Sequence, residues 1–144
     1  MAKVLTCSEK NLKKNLEGNV YVVTGTTSGI GLATVKQLAK QSATIVCASR
    51  NIELSNKLID NISIKYSNKN LHFIHLDLTS LKSVRKFVKT FNSRFKKLDG
   101  LVNNAGVMHT PQQTTDEGFE LQFGVNFLAH FLLTELLLPT LEKT

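Results

Sequence analysis

The run Val20-Tyr21-Val22-Val23 passes directly into Thr24-Gly25-Thr26-Thr27-Ser28-Gly29-Ile30-Gly31, and no other stretch constrains the chain as much. An apolar, strand-type run feeds a glycine-rich turn, and the turn opens into the helical pattern Ile30–Lys40. Strand, turn and helix in that order set backbone N–H groups and a helix N-terminus where an anionic phosphate can sit. Glycine serves such a turn twice. It accepts backbone angles that side chains resist, and it lets a pyrophosphate approach the main chain. The spacing here is G-x-x-x-G-x-G, and no lysine follows the last glycine. That speaks against a nucleoside-triphosphate loop, whose lysine reaches the outer phosphates.

The strand-then-helix unit recurs. Strand-like runs fall at Val20–Thr24, Thr44–Ala48, Leu71–Leu76 and Leu101–Asn103. Asn51–Lys65 carries Leu54, Leu58, Ile59 and Ile62 at helical spacing, with Asn51 as its N-cap. Ser80–Phe95 reads as the clearest helix. Leu81, Val84, Phe87, Val88, Phe91 and Phe95 form one stripe, and Lys82, Arg85, Lys86 and Lys89 lie off it. Strands alternating with helices predict a parallel sheet covered on both faces, an α/β fold of the Rossmann-type doubly wound kind with about four strands. Residues 1–16 read as an N-terminal extension and 17–144 as a partial dinucleotide-binding domain, with Pro111–Thr115 as a surface loop.

The chain has 144 residues and a formal charge of +7, from 18 Lys+Arg against 11 Asp+Glu. Much of that charge lies on expected helix surfaces and reads as a solvated basic face. No aromatic-basic interleaving or helix-turn-helix pattern accompanies it, so nucleic acid is not an expected partner. Cys7 and Cys47 form no framework; Cys47 sits in an apolar strand pattern and reads as a buried thiol in a reducing, cytoplasmic setting. Met1–Asn19 has no apolar core of signal-peptide length. Phe119–Leu141 is strongly apolar, but Asn126, His130, Glu135 and Pro139 interrupt it. The expectation is a helix buried on several sides or packed on a partner subunit, not a transmembrane segment.

Informative residues follow each strand: Gly25, Arg50, Asp77 and Asn104. Ligands of open α/β sheets bind outside the carboxyl ends of the strands. The NAD pattern places a carboxylate near the second of these positions, yet Ala48-Ser49-Arg50-Asn51 has none. An arginine there can clamp a 2′-phosphate that a carboxylate would repel, which predicts NADP(H) over NAD(H). Asp77 reads equally as an acceptor for an adenine amino group and as a neighbour of the next helix start. His72 and His75 lie three apart on a strand and face opposite ways, and His109 and His130 have no ligand cluster, so no metal site is expected.

Together, T-G-x-x-x-G-I-G at Thr24–Gly31, Asn103-Asn104-Ala105-Gly106 and Gly124-Val125-Asn126 resemble the short-chain dehydrogenases/reductases. Leu76-Asp77-Leu78-Thr79-Ser80-Leu81 and Val125-Asn126-Phe127-Leu128-Ala129-His130 are similar to their retinol-dehydrogenase-like branch. The resemblance covers about residues 17–143. It implies that Gly25, Thr27, Ser28, Gly29, Ile30 and Gly31 hold the pyrophosphate side of NADP(H). Arg50 would meet the 2′-phosphate, Asp77 and Leu78 the adenine, and Asn104, Ala105 and Gly106 the central part of the cofactor. It also implies a catalytic role for Asn126, which would position a water in a proton relay. Taken alone, Asn126 reads instead as a polar residue at a helix kink bonded to backbone.

Family chemistry is hydride transfer between nicotinamide and a small-molecule carbonyl or alcohol, through a Ser–Tyr–Lys set with the signature Y-x-x-x-K. Four residues after Tyr21 and Tyr66 stand Gly25 and Asn70, so neither tyrosine qualifies. The resemblance thus implies the cofactor-binding half of such an oxidoreductase, with little turnover of its own. The alternative is a non-catalytic dinucleotide-binding or interaction module, or a truncated product. Either way the fourth strand would leave an unpaired edge and the last helix an apolar face, which predicts self-association, as a homo-oligomer or by swapping.

Overall fold

In the computed structural model, which describes residues 7–144, four parallel strands form one sheet in the order β3-β2-β1-β4. They are β1 (Val20–Thr24), β2 (Thr44–Ser49), β3 (Leu71–His75) and β4 (Gly100–Val102). The helices are α1 (Glu9–Leu12), α2 (Gly29–Lys40), α3 (Ile52–Tyr66), α4 (Leu81–Arg94), α5 (Leu121–Phe123) and α6 (Ala129–Leu141). A π-helical turn, Gly124–Leu128, joins α5 to α6. The chain winds outward from β1 through β2 to β3, then crosses back to lay β4 on the other side of β1. The strand order therefore reverses between β1 and β4, where folds of this class open a crevice.

Register sorts the core. Val22 pairs with Val46 and with Leu101, and Val23 pairs with Cys47. Side chains alternate across a strand, so Val22 and Val46 join α4 and α6 on one face, through Val84, Phe87, Phe91, Leu133 and Leu137. Val23, Ile45 and Cys47 join α2 and α3 on the other, through Val35, Ala39 and Ile62. Both faces are covered, as the strand–helix alternation requires. Asn51 caps α3, its Oδ1 accepting from the Leu54 N–H at 2.9 Å. The stretch before β1 is tied to the end of α2, because Gln41 Nε2 donates to the carbonyls of Asn11 and Lys14, both at 2.9 Å.

Several element boundaries, among them the β2 end at Ser49 and the β4 end at Val102, and one whole element depart from the sequence pattern. β4 begins at Gly100 rather than Leu101 because Asp99 already engages Val20: its N–H donates to Val20 O at 2.8 Å and its carboxylate accepts from Val20 N at 2.7 Å. β3 ends at His75, short of Leu76. The apolar run near the C-terminus is not one regular helix. Glu120 caps α5 by accepting from Gln122 N and Phe123 N, which also holds its carboxyl below the ordinary value, and the π-turn then widens the coil at Asn126. Beyond it, Ala129, Leu133 and Leu137 are buried, whereas Phe123, Phe127 and Phe131 form an exposed ladder with ring centroids 5.4 and 6.2 Å apart. Leu121–Leu141 is long and apolar enough to cross a membrane by length and composition, and one side of it packs into the sheet core. Among the described residues β3 and β4 are the two outer strands of the sheet.

Candidate functional site

The turn after β1 and the loop after β4 meet backbone to backbone at the switch point. Gly25 has φ +68°, and a Cβ on it would sit 2.8 Å from Ala105 Cα. A Cβ on Gly31 would strike the Gly25 carbonyl oxygen and Asn104 Nδ2. At these two positions glycine is demanded first by the neighbouring loop, a constraint additional to any ligand's approach. Asn104 stitches the two segments together: its Nδ2 donates to Thr24 O at 3.0 Å and to Gly25 O at 3.2 Å. Thr24, fully buried, accepts on Oγ1 from the N–H groups of Asn104 (3.0 Å) and Ala105 (2.9 Å).

A cleft of about 790 Å³ opens at this carboxyl edge. Gly25, Thr27, Ser28, Gly29, Ile30, Arg50, Asp77, Leu78, Asn104, Ala105 and Gly106 all line it. Gly31 does not; it lies buried beneath the turn. The first turn of α2 carries no acidic residue, and the Ser28 hydroxyl makes no capping bond. The amides and positive dipole end of the helix are thus left for an anion. Arg50 is exposed, and among the described residues no carboxylate pairs with it. Asp77 serves its local turn, with Oδ1 accepting from Thr79 N (2.9 Å) and Thr79 Oγ1 (2.8 Å).

Asn126 lies off the cleft, on the π-turn. Its side chain bonds the Val107 backbone at both polar atoms, which is the backbone-bonding arrangement its residue type allows on its own. One lone pair and one N–H of its side-chain amide remain for other partners, and its main-chain carbonyl faces His130 Nδ1 at 3.4 Å. Sequence reasoning missed the far wall of the cleft, Val107, Thr110, Gln113, Leu121 and Val125, which comes from the irregular segment after β4 and from the helix that follows. It also gave His130 no part. That residue is buried with Nε2 3.0 Å from Thr24 Oγ1.

Among the described residues the remaining reactive side chains form no second centre. Burial pushes the Cys47 thiol up to about 12, against a hydrogen bond from Thr26 that lowers it, so it is no thiolate nucleophile. His72 packs edge-on against Phe95 at 5.3 Å, and burial, then the Arg94 charge, lowers its pKa. Among the described residues no cluster of His, Cys, Asp or Glu has the makings of a metal site.

The family model for short chain dehydrogenase matches residues 19–144.

The chain belongs to the short-chain dehydrogenase family.

It is 43% identical to retinol dehydrogenase 13 of Homo sapiens over 132 residues, covering 92% of this chain and 40% of that protein. It is 46% identical to polyprenol dehydrogenase of Mus musculus over 127 residues, covering 88% of this chain and 38% of that protein. The chain thus spans well under half the length of these relatives. Among solved structures it is similar to L-sorbose reductase from Gluconobacter frateurii complexed with NADPH and L-sorbose, with TM-score 0.77 and 28% identity over 91% of this chain and 50% of that one.

Proposed function

We propose that this short-chain dehydrogenase binds NADP(H) along the carboxyl edge of its sheet and forms the cofactor-binding half of an oxidoreductase acting on a carbonyl or alcohol. The observation that carries the reading is Arg50, unpaired among the described residues on the cleft wall just past β2, where an NAD site needs a carboxylate. When bound, the nicotinamide would supply the hydride chemistry. This chain's part is to bind and orient. The α2 N-terminus, with Gly25, Thr27, Ser28, Gly29 and Ile30, takes the pyrophosphate, while Gly31 lets the turn close. Arg50 takes the 2′-phosphate, and Asp77 and Leu78 border the adenine. Asn104, Ala105 and Gly106 support the centre of the cofactor. Asn126 would take part in a proton relay through the lone pair and N–H that its pairing with Val107 leaves on the side-chain amide.

Relatives named for retinol and polyprenol favour a lipophilic alcohol or aldehyde as substrate of the whole protein. The exposed Phe123–Phe127–Phe131 ladder favours self-association. The free thiols Cys7 and Cys47 favour a reducing, cytoplasmic setting. Domain limits at residues 17–144 are part of the same reading. Titration of NADPH, followed by its fluorescence, tests it. Saturable micromolar binding supports a cofactor half, and no binding favours an interaction module.

A further inference from the structure

Thr24 Oγ1 has four polar neighbours. The N–H groups of Asn104 and Ala105 lie at 3.0 and 2.9 Å, His130 Nε2 at 3.0 Å and Val102 O at 3.4 Å. A hydroxyl offers two lone pairs and one proton. The two amides take both lone pairs, so the proton goes to the nearer remaining acceptor, His130 Nε2, which must be bare. The other ring nitrogen agrees. Nδ1 faces the Asn126 main-chain oxygen at 3.4 Å, an acceptor only, and so carries the hydrogen.

We infer that His130 is a positioning residue for the cofactor loop: as the Nδ1–H tautomer it accepts the Thr24 proton and keeps both Thr24 lone pairs for Asn104 and Ala105. The effect on cofactor affinity rests on the site proposed above; the hydrogen-bond arrangement does not. A proton on Nε2 would bring a third N–H to an oxygen with room for two. One amide bond must then lengthen, and the Asn104–Gly106 wall of the cleft shifts away from the glycine turn.

His130 is 6% exposed, and burial lowers its pKa while the Asn126 carbonyl opposes that. Tyr21 on β1, Asp99 before β4, Glu135 on α6, and Lys82, Arg85, Lys86, Lys89 and Arg94 on α4 are the ionisable groups of the elements around it. None contributes to that shift. Its charge state therefore follows pH and burial.

The test is nitrogen NMR on the full chain with labelled histidine and backbone. Nε2 is expected without hydrogen, and the Asn104 and Ala105 amide resonances are expected to titrate at the His130 midpoint. His130→Gln supplies a neutral acceptor, so both amides should keep their positions and lose that titration; a residue that only filled space would show no such linkage. A hydrogen on Nε2, or amides that stay fixed while His130 titrates, overturns the inference. Calorimetry with NADP+ supplies the second arm. Crossing the His130 midpoint from above should cost the wild type about tenfold more affinity than His130→Gln, the worth of roughly one hydrogen bond. Equal pH dependence in the two proteins overturns the coupling to the cofactor loop. If neither protein binds NADP+, the proposed cofactor site fails, and NMR alone decides the role of His130.

Discussion

Asn126 holds Val107 at both ends of its amide: Oδ1 accepts from Val107 N at 2.8 Å and Nδ2 donates to Val107 O at 2.8 Å. A side chain here imitates a neighbouring strand. It pins the segment after β4, one wall of the cleft, to the π-turn on the last helix. Asn126→Ala should let the Val107 amide exchange with solvent much faster than in the wild type. Because Asn126 is exposed, water replaces part of the pairing, and the stability loss should be about 1 kcal/mol. Unchanged exchange at Val107 would contradict the pinning role.

Thr24 is fully buried, and its hydroxyl serves the amides of Asn104 and Ala105 in the loop after β4. Thr24→Val keeps the shape and removes the acceptor. Unpaired donors at a buried site cost about 1–3 kcal/mol. Urea denaturation should show a loss of that size, together with weaker NADPH binding. A variant as stable as the wild type would show that the loop does not depend on this oxygen.

Cys7 is exposed and Cys47 is buried with its thiol pushed up to about 12. A thiol reagent should therefore label Cys7 quickly in the native protein and Cys47 only on unfolding. Mass mapping reads the two sites separately, and rapid native labelling of Cys47 would count against the packing of β2.

Burial lowers the pKa of both His130 and His72 in the folded chain. The unfolded chain binds these protons more readily, near the ordinary imidazole value of about 6.5. Stability is therefore fully present above that pH and is lost as pH falls from there through the lower folded values. His130→Gln should reduce the slope of thermal midpoint against pH in that window. An unaltered slope would mean that His130 titrates as an exposed histidine does.

The legible parts of this fold are those whose signals are local. The glycine turn after Val20–Thr24, the Asn51 cap and the Leu81–Phe91 stripe each rest on residues close in sequence, and the structure shows each of them. The β4 start was not legible because Asp99 sets it through Val20, 79 residues away. Nor was the π-turn, where the Asn126 side chain meets Val107, 19 residues earlier. His130 looked isolated because its partner on β1 is 106 residues distant. Most of the residues read as cofactor candidates meet on one cleft because they follow the ends of neighbouring strands, whereas the cleft wall at Thr110 and Gln113 comes from an irregular segment with no periodic signal.

Arg50 on the cleft wall would give the proposed site its selectivity for NADP(H). Calorimetric affinities for NADPH and NADH, on the wild type and on Arg50→Ala, test it most directly. Charge-assisted bonds to a phosphate are worth about 1.5–3 kcal/mol, so Arg50→Ala should weaken NADPH binding roughly ten- to a hundredfold and leave NADH nearly unchanged. No binding of NADPH by the wild type, or equal losses for the two nucleotides in the variant, would contradict the account.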